Sequence, residues 1–121
     1  MSTIQVNAIQ SSTGTQEVTQ TTIFNGTAKA WTCLDGTGTI SGLNDFNVSS
    51  YTDNGTGDYD IHLTNSFSDA DYCQTSCGNN DISRQKGTGQ DASTMRVETA
   101  VYTSAPVDDG HVMAAGFGEL A

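Results

Sequence analysis

The stretch D-Y-D-I-H-L-T at residues 58–64 decides the fold class of this chain. Its apolar residues, Tyr59, Ile61 and Leu63, occupy every second position, and charged or polar residues stand between them. A period of two places the apolar set on one face of a β-strand and the polar set on the other. The preceding T-D-N-G-T-G at 52–57 contains an Asn-Gly pair, a strong signal for a hairpin turn. These residues therefore predict a half-buried strand that follows a hairpin turn.

Similar alternation continues toward both ends of the chain. In A-K-A-W-T-C-L at 28–34 it predicts another strand, in which we expect Trp31 to face the core. Further strands are predicted at 3–10, 46–51, 94–104 and 111–121, with another through Tyr72. No segment shows the 3.6-residue period of an amphipathic helix. Six or seven short strands predict an all-β fold, a compact antiparallel β-sandwich or jelly-roll-like domain.

The chain divides at residue 27 into two regions of different pattern. Residues 1–27 are rich in Gln, Thr and Ser, so after the strand at 3–10 they predict an extended arm or loose loops. Residues 28–121 carry nearly all of the strand patterns and form the predicted sandwich domain. Because the apolar residues of the arm have little to fold around, we expect them to anchor it to a partner. These anchor candidates are Ile4, Val6, Ala8, Ile23 and Phe24.

Composition and charge exclude several classes of protein. The chain has 18 Thr and 12 Ser among 121 residues, with 13 Gly and one Pro, which suits strands and turns better than helices. Lys and Arg number 4 against 14 Asp and Glu, a net charge of −10. Nucleic acids and anionic membrane surfaces are bound by basic patches, so neither is an expected partner. No apolar run is long enough to insert into a membrane.

The N-terminal sequence M-S-T-I-Q-V-N-A-I-Q lacks the charged and apolar regions of a signal peptide. Ordinary secretion is therefore not expected, and cysteine usage agrees with a reducing cytoplasm. Cys73 and Cys77 form C-Q-T-S-C, which differs from the C-x-x-C of zinc and redox sites. Three free thiols are expected, with a Cys73–Cys77 bond as the alternative. We predict no metal site and no cofactor.

Acidic residues raise two further hypotheses. Asp53, Asn54, Asp58 and Asp60 suggest calcium, but they lack EF-hand spacing, and Asx residues commonly cap turns. Paired carboxylates at 69/71 and 108/109 suggest a glycosidase, although both pairs lie in turn-like segments where a solvated surface is expected. No nucleophile–base pair accompanies them, so we predict no catalytic residues.

Two features suggest binding. Trp31 and Tyr51 suggest an aromatic platform for a sugar, because aromatic rings suit the apolar faces of sugars; a Trp31 in the core is the alternative. Residues 77–93 have almost no apolar content beyond Ile82, which predicts a long surface loop or a poorly ordered one, of the kind that carries specificity. The receptor-loop candidates are Asn79, Asn80, Asp81, Arg84 and Lys86.

Four segments together resemble a module of tail-fibre and other virion-surface proteins of tailed bacteriophages. They are A-K-A-W at 28–31, D-G-T-G-T-I at 35–40, D-F-N-V-S-S at 45–50 and T-D-N-G-T-G-D-Y at 52–59. The resemblance covers about residues 28–75, and T-I-Q-V-N-A-I-Q-S-S-T-G-T at 3–15 looks like the segment that often precedes this module.

The resemblance implies a non-enzymatic, β-rich and trimeric virion component that is assembled in the host cytoplasm. Its partners would be other virion proteins of the capsid or tail. Because this chain of 121 residues contains no long shaft or tail-attachment domain, a capsid decoration protein or short head fibre is the favoured prediction. The alternative is a tail-fibre-type receptor-binding protein that adheres to a host surface glycan.

Overall fold

The computed structural model describes residues 2–79 and 82–121, and most of them form a sandwich of two four-stranded antiparallel sheets. A small hairpin of β1 (Ala8–Gln10) and β2 (Glu17–Thr19) precedes it, followed by helix α1 (Gln20–Gly26). The sandwich strands are β3 (Ala30–Asp35), β4 (Ser41–Phe46), β5 (Val48–Asp53), β6 (Asp58–Leu63), β7 (Cys73–Gly78), β8 (Ile82–Gln85), β9 (Thr94–Ala100) and β10 (Val112–Phe117). Sheet I has the order β4-β3-β10-β7 and sheet II the order β5-β6-β9-β8. The predicted all-β fold is confirmed, in its β-sandwich form.

The core lies between the two sheets and is made by the alternate apolar residues of the central strands. Leu34 of β3 and Val112 of β10 are fully buried, as are Tyr59 and Ile61 of β6 and Val97 of β9. Complete burial of such a side chain contributes about 1.5–3 kcal/mol, so these four strands hold the sheets together. They are the strands predicted at 28–34, 58–64, 94–104 and 111–121, which are therefore confirmed.

The predicted hairpin turn joins β5 to β6. Asp53 Oδ1 accepts a hydrogen bond of 2.8 Å from the backbone N–H of Gly55, which closes an Asx turn. Gly57 has a φ of +66°, and a Cβ at this position would lie 2.3 Å from the carbonyl oxygen of Thr99. Only glycine fits here, because both the left-handed backbone and the close approach of β9 exclude a side chain.

The strand predicted over 46–51 is mainly β5, but its first residue, Phe46, ends β4, a strand of the other sheet that the sequence patterns did not predict. The chain bends between β4 and β5 at Asn47, whose φ is 60°. Asn47 Nδ2 donates to the carbonyl oxygens of Lys29 (3.0 Å) and Asn65 (2.9 Å), and Asn47 Oδ1 accepts from the N–H of Asn65 (2.8 Å). This side chain therefore ties the corner to the segments that flank β3 and β6. Period-two alternation continues through such a bend, so the pattern alone did not predict it.

The N-terminal region differs from the predicted strand at 3–10 and the predicted loops after it. Strand structure is limited to β1, because only these residues have a partner strand, in β2. Residues 2–7 belong to no strand or helix. Helix α1 begins after Thr19, whose Oγ1 accepts a hydrogen bond of 3.2 Å from the N–H of Thr22. A capping threonine is thus enough to start one short helix in a segment without amphipathic periodicity.

The loop predicted over 77–93 is wrong in its middle part, where β8 pairs with the edge of β9. Ile82 lies opposite Ala100, and Arg84 lies opposite Glu98. An edge strand has one solvated side and tolerates a polar sequence, so its pairing with β9 is not visible as a local apolar pattern. The strand predicted through Tyr72 begins one residue later, as β7.

Candidate functional site

The five anchor candidates all lie in the arm, which we define as residues 2–27 of the structure, and no residue of the arm is buried. Ile4 is 86% exposed and Phe24 is 58% exposed. Four of the candidates surround one open depression, between the N-terminal segment and helix α1: Ile4, Val6, Ala8 and Ile23. The structure therefore brings together residues that are up to 19 positions apart in the sequence.

Phe24 lies on another side of helix α1, where the arm meets the sandwich. It lines a second depression together with Lys29 and Leu120. Lys29 Nζ is 5.8 Å from the centre of the Phe24 ring and donates hydrogen bonds to the carbonyl oxygens of Phe24 and Thr27. These contacts hold the helix beside the start of β3 and leave the first depression open.

The three receptor-loop candidates that the structure describes make contacts with different parts of the sandwich. Asn79 Nδ2 lies 3.2 Å from His111 Nδ1, next to β10. Arg84 and Lys86 bind carboxylates of sheet II instead: Arg84 Nε donates to Glu98 Oε2 at 3.0 Å, and Lys86 Nζ donates to Asp58. The other two candidates, Asn80 and Asp81, lie outside the described residues. The two cations proposed for a glycan are thus engaged within the protein.

Alternating charges cover the outer face of sheet II, and we call this set the charged ladder: Asp58, Asp60, Arg84, Lys86, Arg96 and Glu98. Arg96 Nη2 and Nε donate to the two oxygens of Asp58 at 2.8 and 3.0 Å, and Arg96 Nε lies 3.1 Å from Asp60 Oδ1. Burial alone would raise the pKa of Asp58, but the bonds from Arg96 and Lys86 outweigh it and lower that pKa. The same bond to Asp58 raises the pKa of Arg96.

The contacts of the charged ladder argue against the calcium hypothesis for the turn at 53–60. The cations bound by Asp58 and Asp60 are side chains of the protein, and Asp53 caps the hairpin turn as expected for Asx residues. Within residues 2–79 and 82–121, no group of three or more His, Cys, Asp or Glu side chains is placed to hold a metal ion.

The pair at 108/109 matches the predicted solvated surface at one residue and not at the other: Asp108 is exposed, whereas Asp109 is buried. Asp109 is only 2% exposed, and its Oδ1 accepts from the N–H of His111 at 3.0 Å. Asp108 Oδ1 accepts from the N–H of Gly57 at 2.8 Å and from the Tyr59 hydroxyl at 3.2 Å. The Asp108 carboxylate thus fastens the loop before β10 to the turn before β6 and to β6 itself, whereas the bond to the Asp109 carboxylate lies within that loop. The backbone of Asp109 makes the long-range contacts: its carbonyl oxygen accepts from the N–H of Gly36 at 2.9 Å, and its N–H donates to the Tyr59 hydroxyl at 3.3 Å. The local sequence does not show these contacts.

Trp31 points outward from sheet I, whereas Tyr51 points inward from sheet II, so the two rings form no shared platform. Tyr51 faces inward, where its hydroxyl donates to Asp45 Oδ2 at 2.8 Å and accepts from Thr32 Oγ1 at 2.8 Å. Burial raises the pKa of Tyr51 to about 12. Trp31 points outward from β3 and is 38% exposed, so the predicted core position is wrong. The reason is the register of β3, in which Ala30, Thr32 and Leu34 face the core.

Trp31 belongs to a surface that the sequence patterns did not reveal. We call it the uncharged face of sheet I and define it by six outward residues: Trp31, Cys33, Phe46, Cys77, Met113 and Ala115. Most of them line a shallow apolar groove. The available signal was the stretch V-M-A-A-G-F at 112–117, which is apolar on both faces of its strand.

The cysteines settle the disulfide alternative. All three are free. Cys73 and Cys77 lie four residues apart on the single strand β7, which separates their Cα atoms by about 13 Å. A disulfide requires the two Cα atoms to lie within about 7 Å of each other, so the alternative prediction of a Cys73–Cys77 bond is wrong.

The comparisons with known proteins add no relative. No protein-family model, curated protein or solved structure matches the chain. Among the described residues the longest helix, α1, has 7 residues, too few to cross a membrane. What the geometry defines is a small β-sandwich with a charged outer face, an uncharged outer face and an arm of exposed apolar residues. The resemblance to phage virion modules stays a prediction.

Proposed function

We propose that this chain is a non-enzymatic structural protein on the surface of a tailed bacteriophage particle, a capsid decoration protein or short head fibre. The observation that carries the proposal is the arm, whose apolar side chains are exposed although a complete core exists elsewhere in the same chain. The sequence resemblance over about residues 28–75 is the reason for proposing that this particle is a tailed bacteriophage. The other virion proteins are the proposed partners of the arm.

The arm has two properties of a segment that folds onto a partner. Residues 2–7 form no strand of their own, so this segment can add a strand to an exposed sheet edge; at its end, the carbonyl oxygen of Asn7 accepts a hydrogen bond of 3.0 Å from the N–H of Gln20. Ile4, Val6, Ala8 and Ile23 already surround one depression, where apolar side chains of a partner would fit. Each large apolar side chain that becomes buried contributes at most about 1.5–3 kcal/mol.

Several copies strengthen such an anchor. In the homotrimer that we propose, three arms engage together, and the second and third attachments benefit from a high effective concentration. With a net charge of −10, the sandwich domains would project into solvent and keep neighbouring particles apart.

The test introduces charge into the arm of the full-length protein. Ile4→Asp combined with Val6→Asp places two carboxylates in the depression, and we expect at least about a tenfold loss of copurification with particles. Ser2→Asp combined with Ser12→Asp is the matched control, because it adds the same charge at exposed polar positions. Quantitative immunoblotting of purified particles measures both.

Undiminished incorporation of the Ile4/Val6 variant would contradict the anchor and place the contact on the sandwich. Immunogold labelling on intact particles distinguishes the two virion roles. Label over the head, at hundreds of copies, is expected for a decoration protein. Label at the tail tip would support the receptor-binding alternative instead.

A further inference from the structure

We infer that copies of this chain associate with one another through the uncharged face of sheet I. Three large apolar side chains of this face are open to solvent in the single chain: Phe46 is 54% exposed, Trp31 38% and Met113 37%. They are neighbours across strands, since Trp31 lies opposite both Phe46 and Ala115. The result is one continuous apolar surface rather than scattered exposed residues.

The central strand β10 of sheet I has the composition of a strand covered on both faces, although the outward positions of the other strands also include Asp35, Asn44 and Thr75. An antiparallel sheet with one wet face shows apolar residues on one side and polar residues on the other. In β10, Val112 and Ala114 face the core, while Met113 and Ala115 face outward. In β3, Trp31 and Cys33 take the outward positions. Sheet II, by contrast, has the charged ladder on its outer face.

The charge distribution selects another copy as the occupant. The chain carries 14 acidic and 4 basic residues, so a basic partner would be drawn to the acidic surfaces and not to this face. An anionic bilayer would be repelled by the net charge of −10. None of the six residues that define the uncharged face is an Asp, Glu, Lys or Arg. A second copy presents the same neutral, apolar surface.

Repulsion between copies does not come from the charged ladder, because its three acidic and three basic side chains cancel. The net charge of −10 therefore lies on the other acidic residues of the chain. At 0.1 M ionic strength, exposed charges more than about 10 Å apart are largely screened.

The size of the face predicts how strong the association is. Four strands spaced by about 4.8 Å and six residues long give the whole outer side of sheet I a footprint of about 400 Å², which is an upper limit for the uncharged face. A stable interface of standard size buries about 800 Å² per partner. We therefore expect a reversible association that depends on protein concentration. The proposed trimer would form through this same contact. The inference itself does not require that the protein belongs to a virion.

The experiment compares one charge on two faces of the full-length protein. Met113→Glu places a carboxylate in the uncharged face, and Ser50→Glu places one at an exposed position on the outer face of sheet II. Sedimentation equilibrium should show self-association of the wild-type protein that is weakened at least about tenfold by Met113→Glu and unchanged by Ser50→Glu. Raising the ionic strength from about 0.05 M to about 0.5 M should tighten the wild-type association, because repulsion between acidic copies is screened. Circular dichroism confirms that both variants are folded.

The thiols provide a second measurement without substitution. Cys33, Cys73 and Cys77 all point outward from sheet I, so their reaction with a maleimide should slow as the wild-type protein is concentrated. A protein that stays monomeric at every concentration, or an equal effect of the two Glu variants, would overturn the inference. Flotation of a monomeric wild-type protein with phosphatidylcholine vesicles, lost in Met113→Glu, would overturn it in favour of a lipid surface. Particle incorporation is a separate measurement, so failure here leaves the virion proposal standing.

Discussion

Asp58 is the residue on which the charged ladder depends. Its side chain is 13% exposed and binds both Lys86 and Arg96. Removing the carboxylate leaves two partly buried cations with fewer anionic partners, which costs more than the loss of an exposed ion pair. Lys86, one of the cationic receptor-loop candidates, is among the side chains that Asp58 binds.

We expect Asp58→Asn to lower the free energy of unfolding by about 2 kcal/mol at pH 7, between the values for exposed and fully buried pairs. The pKa of Asp58 is lowered from 3.8 in the folded protein, so the stabilisation is present above that value and is lost as the pH falls through the lower folded pKa. Urea unfolding between pH 7 and acid should therefore show a smaller acid loss in the variant than in the wild type. Asp71→Asn, at an exposed position in a turn, is the control. An identical pH profile for Asp58→Asn and the wild type would contradict this role.

At the scale of elements, the corner between β4 and β5 transfers the chain from one sheet to the other. Asn47 adopts the left-handed backbone that this corner requires and fills it with hydrogen bonds to Lys29 and Asn65. Asparagine tolerates this conformation better than most residues with a Cβ. The side chain thus contributes both backbone compatibility and a link between segments distant in sequence.

These two contributions can be separated by substitution. Asn47→Gly keeps the backbone conformation and loses the side-chain bonds, whereas Asn47→Ala loses both. We expect a loss of about 1–3 kcal/mol for Asn47→Gly and about 1 kcal/mol more for Asn47→Ala, measured by urea unfolding. Asn44→Ala, at an exposed position on β4, should change stability by less than about 0.5 kcal/mol. Equal effects at positions 44 and 47 would show that the corner does not depend on Asn47.

At the scale of the whole molecule, stability and the proposed attachment reside in different parts of the chain. The core cluster of the described residues runs from Ala30 to Ala114. The arm reaches the sandwich mainly where helix α1 lies beside Lys29 and Leu120. A partner could therefore engage the arm without disturbing the core.

Deletion of residues 1–27 should leave a folded sandwich. We expect cooperative thermal unfolding with a midpoint within a few degrees of the full chain, because no buried side chain is removed. Differential scanning calorimetry and the near-ultraviolet circular dichroism of the buried tyrosines measure this. Loss of the cooperative transition would mean that the arm is part of the folding unit.

The sequence by itself determined the fold class and the central strands. At 58–64 the signal is local, because successive side chains of a strand point to opposite faces and the apolar residues there occupy every second position. The Asn-Gly turn and the capping aspartate at 53 are local for the same reason, since their bonds join residues two to four positions apart. The division between a polar arm and an apolar-patterned domain also follows from composition alone.

The tertiary structure alone decided which residues meet across the chain. The predicted loop acquires β8 because β9 offers its edge, and Arg84 then pairs with Glu98, 14 residues away. The backbone N–H of the buried Asp109 donates to the distant Tyr59 hydroxyl, and Trp31 is exposed because the register of β3 turns the opposite set of residues inward. Burial, charge pairing and the uncharged face depend on contacts between distant segments, and a periodic pattern in one segment carries no information about its partner.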